Sequence, residues 1–171
     1  MATEKVIPEA ALSSPGDAYE YARDIVKGPW PQGETVIAQC SMCAYFYARD
    51  VIKDRWVAAE PVIAQDPAWA FHYAREVIRG RWPAAEPAIA QDSGYALRYC
   101  HEVIKCRLHS AEPVIAQSPM RGFHYARDVI GGRFTLGEPV IARDLFWESI
   151  YFHNFKTQFT EPERLIWLLR Q

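Results

Sequence analysis

Two periods are nested in the order of apolar and polar residues along this chain. The short one is helical. Around Tyr73 the small or apolar residues Ala70, Ala74, Val77 and Ile78 recur at spacings of three and four, while His72, Arg75, Glu76 and Arg79 fall on other faces. The long one is 26 residues. Tyrosine recurs at Tyr21, Tyr47, Tyr73, Tyr99, Tyr125 and Tyr151. Isoleucine keeps the same register at Ile37, Ile63, Ile89, Ile115 and Ile141, and glutamate at Glu34, Glu60, Glu86, Glu112 and Glu138. A bulky apolar residue does so at Trp30, Trp56, Trp82, Leu108 and Phe134. No insertion interrupts the register, and such self-similarity marks a repeat protein.

Each repeat predicts two helices. In the third, residues 56–81, the segment Ala58 to Gln65 reads as a short first helix with Pro61 in its opening turn, where a missing N–H costs little. Asp66-Pro67 then restarts the chain, Asp as an N-cap and Pro at the first helical position. The second helix runs to Arg79, and Gly80 is expected to end it in a left-handed conformation. Asp92, Ser118 and Asp144 repeat the cap; Gly28 and Gly132 repeat the stop. Val and Ile also favour strands, but the spacing, the caps and the alanines outweigh them. A helix pair this short cannot bury its own apolar face, so neighbours must stack.

The expected fold is therefore all-α: an α/α solenoid of six 26-residue helix-pair repeats with a C-terminal capping helix, as one domain over 1–171. The expected parts are an N-cap at 1–14, repeats over about 15–158 and the final helix at 160–171. Pro8-Glu9-Ala10-Ala11-Leu12 reads as the first helix of the first repeat. Thr160-Glu161-Pro162-Glu163 resembles a capping box opening the last helix, through Leu165, Ile166, Trp167, Leu168 and Leu169. That helix is read as a lid on the stack, with a homodimer contact as the alternative.

Composition narrows the function. Half of the 171 residues are apolar, and the formal charge is −2. That opposes a protein built to coat nucleic acid, or an acidic mimic of it, although a local patch can hide in a neutral total. No apolar run approaches the ~18 residues of a membrane span. The start lacks a secretory pattern, and four cysteines without a sign of export fit a reduced, cytoplasmic chain.

The run from Phe71 through Tyr73-Ala74-Arg75-Glu76-Val77-Ile78-Arg79-Gly80-Arg81-Trp82 to Pro87 resembles a repeat of uncharacterised proteins of bacteriophages and other large DNA viruses, close to Y-A-R-D-V-I-K-G-R-W-P-E-A-E-P. The resemblance covers about residues 15–143. It implies a viral origin, hence a host cytoplasm, and no enzyme. Repeat four departs most, at Cys100, His101, Cys106, Leu108 and His109.

Candidate chemistry is sparse. Arg23, Arg49, Arg75 and Arg127 follow the tyrosines by two, and the glutamates stand eleven further on. A catalytic site is singular, whereas this pattern recurs, so it reads as a salt-bridge ladder pinning each short helix. Cys40 and Cys43 form C-x-x-C, half a zinc site or a redox pair. Cys100, His101, Cys106 and His109 lie too far along the chain to share its metal, and a metal within repeat four alone stays open. His72 and His124 share a phase two repeats apart and cannot meet on one ion. Phosphate-loop motifs are absent. No catalytic residue, metal or cofactor is expected.

The irregular positions carry the functional reading. Four before each tyrosine stand Asp17, Cys43, Trp69, Tyr95, Arg121 and Trp147; one before stand Glu20, Phe46, His72, Arg98, His124 and Ile150. A spacing of three puts the rows side by side. Phe46, Trp69, His72, Tyr95, Arg98, Arg121, His124 and Trp147 then form a stripe with the composition of a protein-binding surface. The competing reading is drift, or burial of the rings between repeats. A second candidate is the basic row Arg55, Arg81, Arg107 and Arg133, near Lys27, Lys53, Arg79 and Lys105, able to track phosphates. Asp24, Asp50, Glu76, Glu102 and Asp128 on the same helices oppose it. The expected function is a protein–protein interaction scaffold, in one form a phage protein that binds and inhibits a host defence factor. The alternative is a nucleic-acid-binding solenoid.

Overall fold

The computed structural model describes residues 9–168, with the backbone alone for 165–168. It is all-α, with short helices in repeated pairs and no strand among the described residues. The described residues fall into two compact units that divide between Ala88 and Ile89.

The predicted caps hold in repeats three to six. Asp66 accepts from the amides of Ala68 and Trp69, Asp92 from Gly94 and Tyr95, Ser118 from Arg121, and Asp144 from Phe146 and Trp147. Ser14 caps the first repeat. Cys40 takes the same place in the second, its Sγ accepting from the Cys43 amide at 3.5 Å. Each satisfies a helix-start donor that otherwise has no partner. The first helices are shorter than expected. The one read as Ala58 to Gln65 is a single turn, Glu60–Ile63, led in by a turn in which the Ala59 amide reaches the Trp56 carbonyl.

The second helices end differently from the sequence reading. In repeats one to five each starts as α-helix, as in Pro67–Tyr73, and widens into a π-helical turn, Ala74–Ile78, whereas in repeat six the helix stays α over Leu145–Phe155. The left-handed residue that closes the turn is not the expected glycine. It is the residue before it: Lys27, Lys53, Arg79 and Lys105, with φ of 54–60°, and Gly131 in repeat five. Gly28, Gly80 and Gly132 do not have positive φ. The widened turn moves the closing residue one place earlier. The Arg79 and Gly80 amides both reach the Ala74 carbonyl, and the Gly131 and Gly132 amides the Ala126 carbonyl.

The periodic residues are the buried ones. Tyr47, Tyr73, Tyr99, Tyr125 and Tyr151 and all five periodic isoleucines are fully buried. The aromatic members of the bulky row, Trp30, Trp56, Trp82 and Phe134, each pack on the tyrosine nine before, as in Tyr47–Trp56 and Tyr73–Trp82, with ring centroids 4.9 and 5.0 Å apart. The alanines three before the tyrosine (Ala18, Ala44, Ala70, Ala96) are buried and let helices approach closely.

At the chain ends, Glu9–Leu12 is a single 3-10 turn, and Pro8 lies outside the described residues. The last helix, Glu161–Leu168, starts with half of the expected box: the Glu163 carboxylate accepts from the Thr160 amide. Arg133 ties that start to its own unit by bonding both Glu138 and Glu163. The lid and dimer readings turn on the side chains of 165–169, which lie outside the described residues.

Candidate functional site

The recurring polar residues form one bracket per repeat. The Tyr73 hydroxyl accepts from the Trp56 amide at 2.7 Å and donates to Glu60 at 3.2 Å. Glu60 in turn takes both arms of Arg55, at 2.8 and 2.9 Å. Tyr125–Glu112–Arg107 and Tyr151–Glu138–Arg133 repeat this, on the amides of Leu108 and Phe134. Tyr47 does the same with Glu34 and Trp30, where Pro29 replaces the arginine. Each bracket ties the entry of one short helix to the following second helix. Burial pushes the Tyr47 and Tyr73 hydroxyls up to about 12. Tyr125 and Tyr151 move the same way for the same reason.

This corrects the predicted ladder. The glutamates pair with the row Arg55, Arg81, Arg107 and Arg133, five residues before each, not with the arginines beside the tyrosines. Arg23, Arg49, Arg75 and Arg127 pair instead with the acid next in sequence: Asp24, Asp50, Glu76 and Asp128. Each also lies over the aromatic ring four before it: Tyr19, Tyr45, Phe71 and Phe123, at 5.0–5.2 Å.

In the N-terminal unit, Phe46, Trp69 and His72 of the proposed stripe lie on one face, half-buried. Trp69 packs against Tyr45 and Phe46, both at 5.5 Å, and His72 at 6.0 Å. Phe46 also stacks on Tyr19 and lies under Arg49 at 4.7 Å. Glu76 accepts from Tyr45 and Arg75 beneath this face. Burial alone would raise its carboxyl, but those bonds outweigh it and hold it at about 2. In the C-terminal unit, Trp147 packs on Phe123 and His124, at 5.6 and 5.8 Å. Arg121 lies along Gly94, and Arg98 pairs with Glu102, with Tyr95 half-buried beside them. The rows are thus faces of packed rings rather than freely exposed residues.

The sequence reading missed the second layer of these faces. Tyr19, Tyr45, Phe71 and Phe123 stand two before the tyrosine, and an aromatic residue at that place in four repeats was the available signal. It also missed an apolar groove of about 730 Å³ lined by Val57, Pro61, Ala64, Trp82 and Pro87.

Cys40 and Cys43 lie side by side, their thiols in contact, and Cys100 and Cys106 stand apart from them in the other unit. Cys40 is a cap, Cys43 is buried with its thiol pushed up to about 12 by burial, Cys100 is buried and Cys106 is exposed. His109 reaches Glu112 at 3.2 Å. Among the described residues, no three His, Cys, Asp or Glu side chains converge as metal ligands. None of the described helices is long and apolar enough to cross a membrane. Compared with known proteins, this chain matches no family model, no curated protein and no solved structure.

Proposed function

We propose that this chain is a protein-interaction scaffold whose contacts are the irregular aromatic and cationic faces beside the tyrosines. One observation carries the reading. The repeated residues satisfy one another inside the scaffold, whereas Phe46, Trp69 and His72, and separately Arg121, His124 and Trp147, keep half-open rings and cations at the surface. Rings held by neighbours lose little freedom on binding, and Trp, Tyr and Arg dominate binding energies at such surfaces. The repeat's resemblance to phage proteins gives the reading a concrete form: a phage protein that binds and inhibits a host factor.

The nucleic-acid reading has less support. Arg55, Arg81, Arg107 and Arg133 each already hold a glutamate through two bonds, and phosphate binding would have to break that pair.

The test is capture from bacterial lysate on immobilised protein, beside Trp69→Ala and Arg98→Glu variants whose fold is checked by circular dichroism. A partner held by the parent and lost by either variant supports the faces. A partner retained by both removes them. Binding to mixed DNA and RNA that weakens about 10³-fold between 50 and 200 mM salt would favour the arginine row instead.

A further inference from the structure

One position breaks the register in the core. Three before the tyrosine, repeats one to four carry Ala18, Ala44, Ala70 and Ala96, all fully buried, and repeat five carries buried Gly122. A Cβ built on Gly122 would sit 3.2 Å from Ile141 and 3.9 Å from Phe134, so this is a tight place that accepts little beyond a methyl group. In repeat six it holds Glu148. The residue is 2 % exposed, and its Oε1 has no hydrogen-bond partner among the described residues. Such an orphaned carboxylate oxygen is costly and calls for a donor.

The surroundings change with it. Glu148 lines a cleft of about 550 Å³ together with Pro139, Ala142, Arg143 and Leu145. Arg143 stands where the four preceding repeats have Gln39, Gln65, Gln91 and Gln117, and Leu145 stands where the others have Pro or Ser. Glu148, Arg143 and Leu145 are therefore particular to this repeat, and all three face one cleft.

We infer that this cleft is a binding site for a primary alkylammonium group, as carried by a lysine side chain or a free alkylamine. The single unpartnered oxygen, buried at the wall of the cleft, suits a compact ammonium better than the planar two-armed guanidinium. Pro139, Ala142 and Leu145 give an apolar wall for a methylene stem, whose charged head lies on Glu148. Arg143 at the rim offers donors to the carbonyl or carboxylate flanking a bound lysine. A dication would need several oxygen ligands, and the described residues bring no such group together. The site does not depend on the aromatic faces.

The test is a ¹H–¹⁵N NMR titration of the full chain with n-butylammonium, with neutral N-butylacetamide, and with Nα-acetyl-lysine N-methylamide. Glu148→Ala restores the residue of repeats one to four, so the variant is expected to fold. Glu148→Gln keeps the shape and removes the charge. The expected result is saturable shifts around residues 139–148 with both amines, none with the acetamide, and binding at least about tenfold weaker in both variants. Tighter binding of the lysine amide than of butylammonium points to a partner's lysine; equal or weaker binding points to a free amine. No saturable shift in the parent, or unchanged affinity in Glu148→Gln, overturns the site and leaves a carboxylate met only by water.

Discussion

Replacing Tyr73 by phenylalanine tests the bracket at its centre. The ring stays, and with it the packing on Trp82. Only the hydroxyl is lost, but it serves two partners. The Trp56 amide loses its acceptor in a buried site, which costs about 1–3 kcal/mol. Glu60 loses a donor across a 3.2 Å bond, about 1 kcal/mol more. The expected destabilisation is about 2–4 kcal/mol, and at roughly 2–4 °C per kcal/mol for a chain this size the melting point falls by about 4–16 °C. Arg55→Gln breaks the outer ion pair of the same bracket. The Arg55 side chain is 47 % exposed, so this costs no more than about 1 kcal/mol. Urea unfolding followed by tryptophan fluorescence measures both. An unchanged slope with a lowered midpoint is expected for Tyr73→Phe; a changed slope would mean the array no longer unfolds together. If Tyr73→Phe lies within about 0.5 kcal/mol of the parent, or costs no more than Arg55→Gln, the buried amide is not what the bracket protects.

The left-handed closers give a second pair. Lys53→Gly, at φ 60°, should stabilise by about 0.5–1 kcal/mol, the relief of a left-handed Cβ less the added freedom of the unfolded glycine, and Gly131→Lys should destabilise by a similar amount. Equal midpoints for all three proteins would deny that the closers are strained. At alkaline pH the folded chain holds the Tyr47 and Tyr73 protons up to about 12, against about 10 when unfolded. Their contribution is therefore complete below pH 10 and is lost as pH rises toward 12. Phenolate absorbance from these two tyrosines should appear only together with unfolding. At the acid end Glu76, held at about 2 against an ordinary 4.5, contributes above pH 4.5, and this is lost as pH falls toward 2. Glu76→Gln should therefore flatten the acid limb of the stability profile. A thiol reagent should label Cys106 quickly and reach Cys43 and Cys100 only on unfolding; fast labelling of Cys43 would contradict its burial.

The fold was legible because one environment recurs in every repeat and demands the same residue each time. Tyr73 is buried, accepts an amide and reaches a glutamate, and few side chains do all three, so its 26-residue spacing carries through the chain. The caps were legible for the same reason. The helix stop was not, because it depends on how many residues the last turn holds. The π-helical turn puts the left-handed conformation on Lys27 or Arg79, where sequence preference argues against it, and leaves the glycine that follows in an ordinary conformation. The ion pairs were misread because two arginine rows and two acid rows recur at one period, and periodicity alone cannot tell which row meets which. A distance of five residues across a tight turn decides for Arg55 and Glu60.

The faces were half legible. Their rows follow from helical spacing, but their depth does not, since it depends on Tyr45 of one helix reaching Trp69 of the next. Departures from the repeat carry information that the repeat itself does not, and they must be sorted by whether the fold absorbs them. Cys40 replaces a capping aspartate or serine, and its sulfur takes over the bond to the helix start, so the scaffold absorbs the change. Arg143 and Glu148 differ from it. Nothing among the described residues meets the Glu148 oxygen, the five equivalent positions hold Ala or Gly, and the cleft beside it changes at the same time. A departure absorbed by the scaffold is drift that folding tolerates. One left unsatisfied in a tight core position raises the energy of the folded chain by itself, and a ligand that brings the missing donor removes that cost.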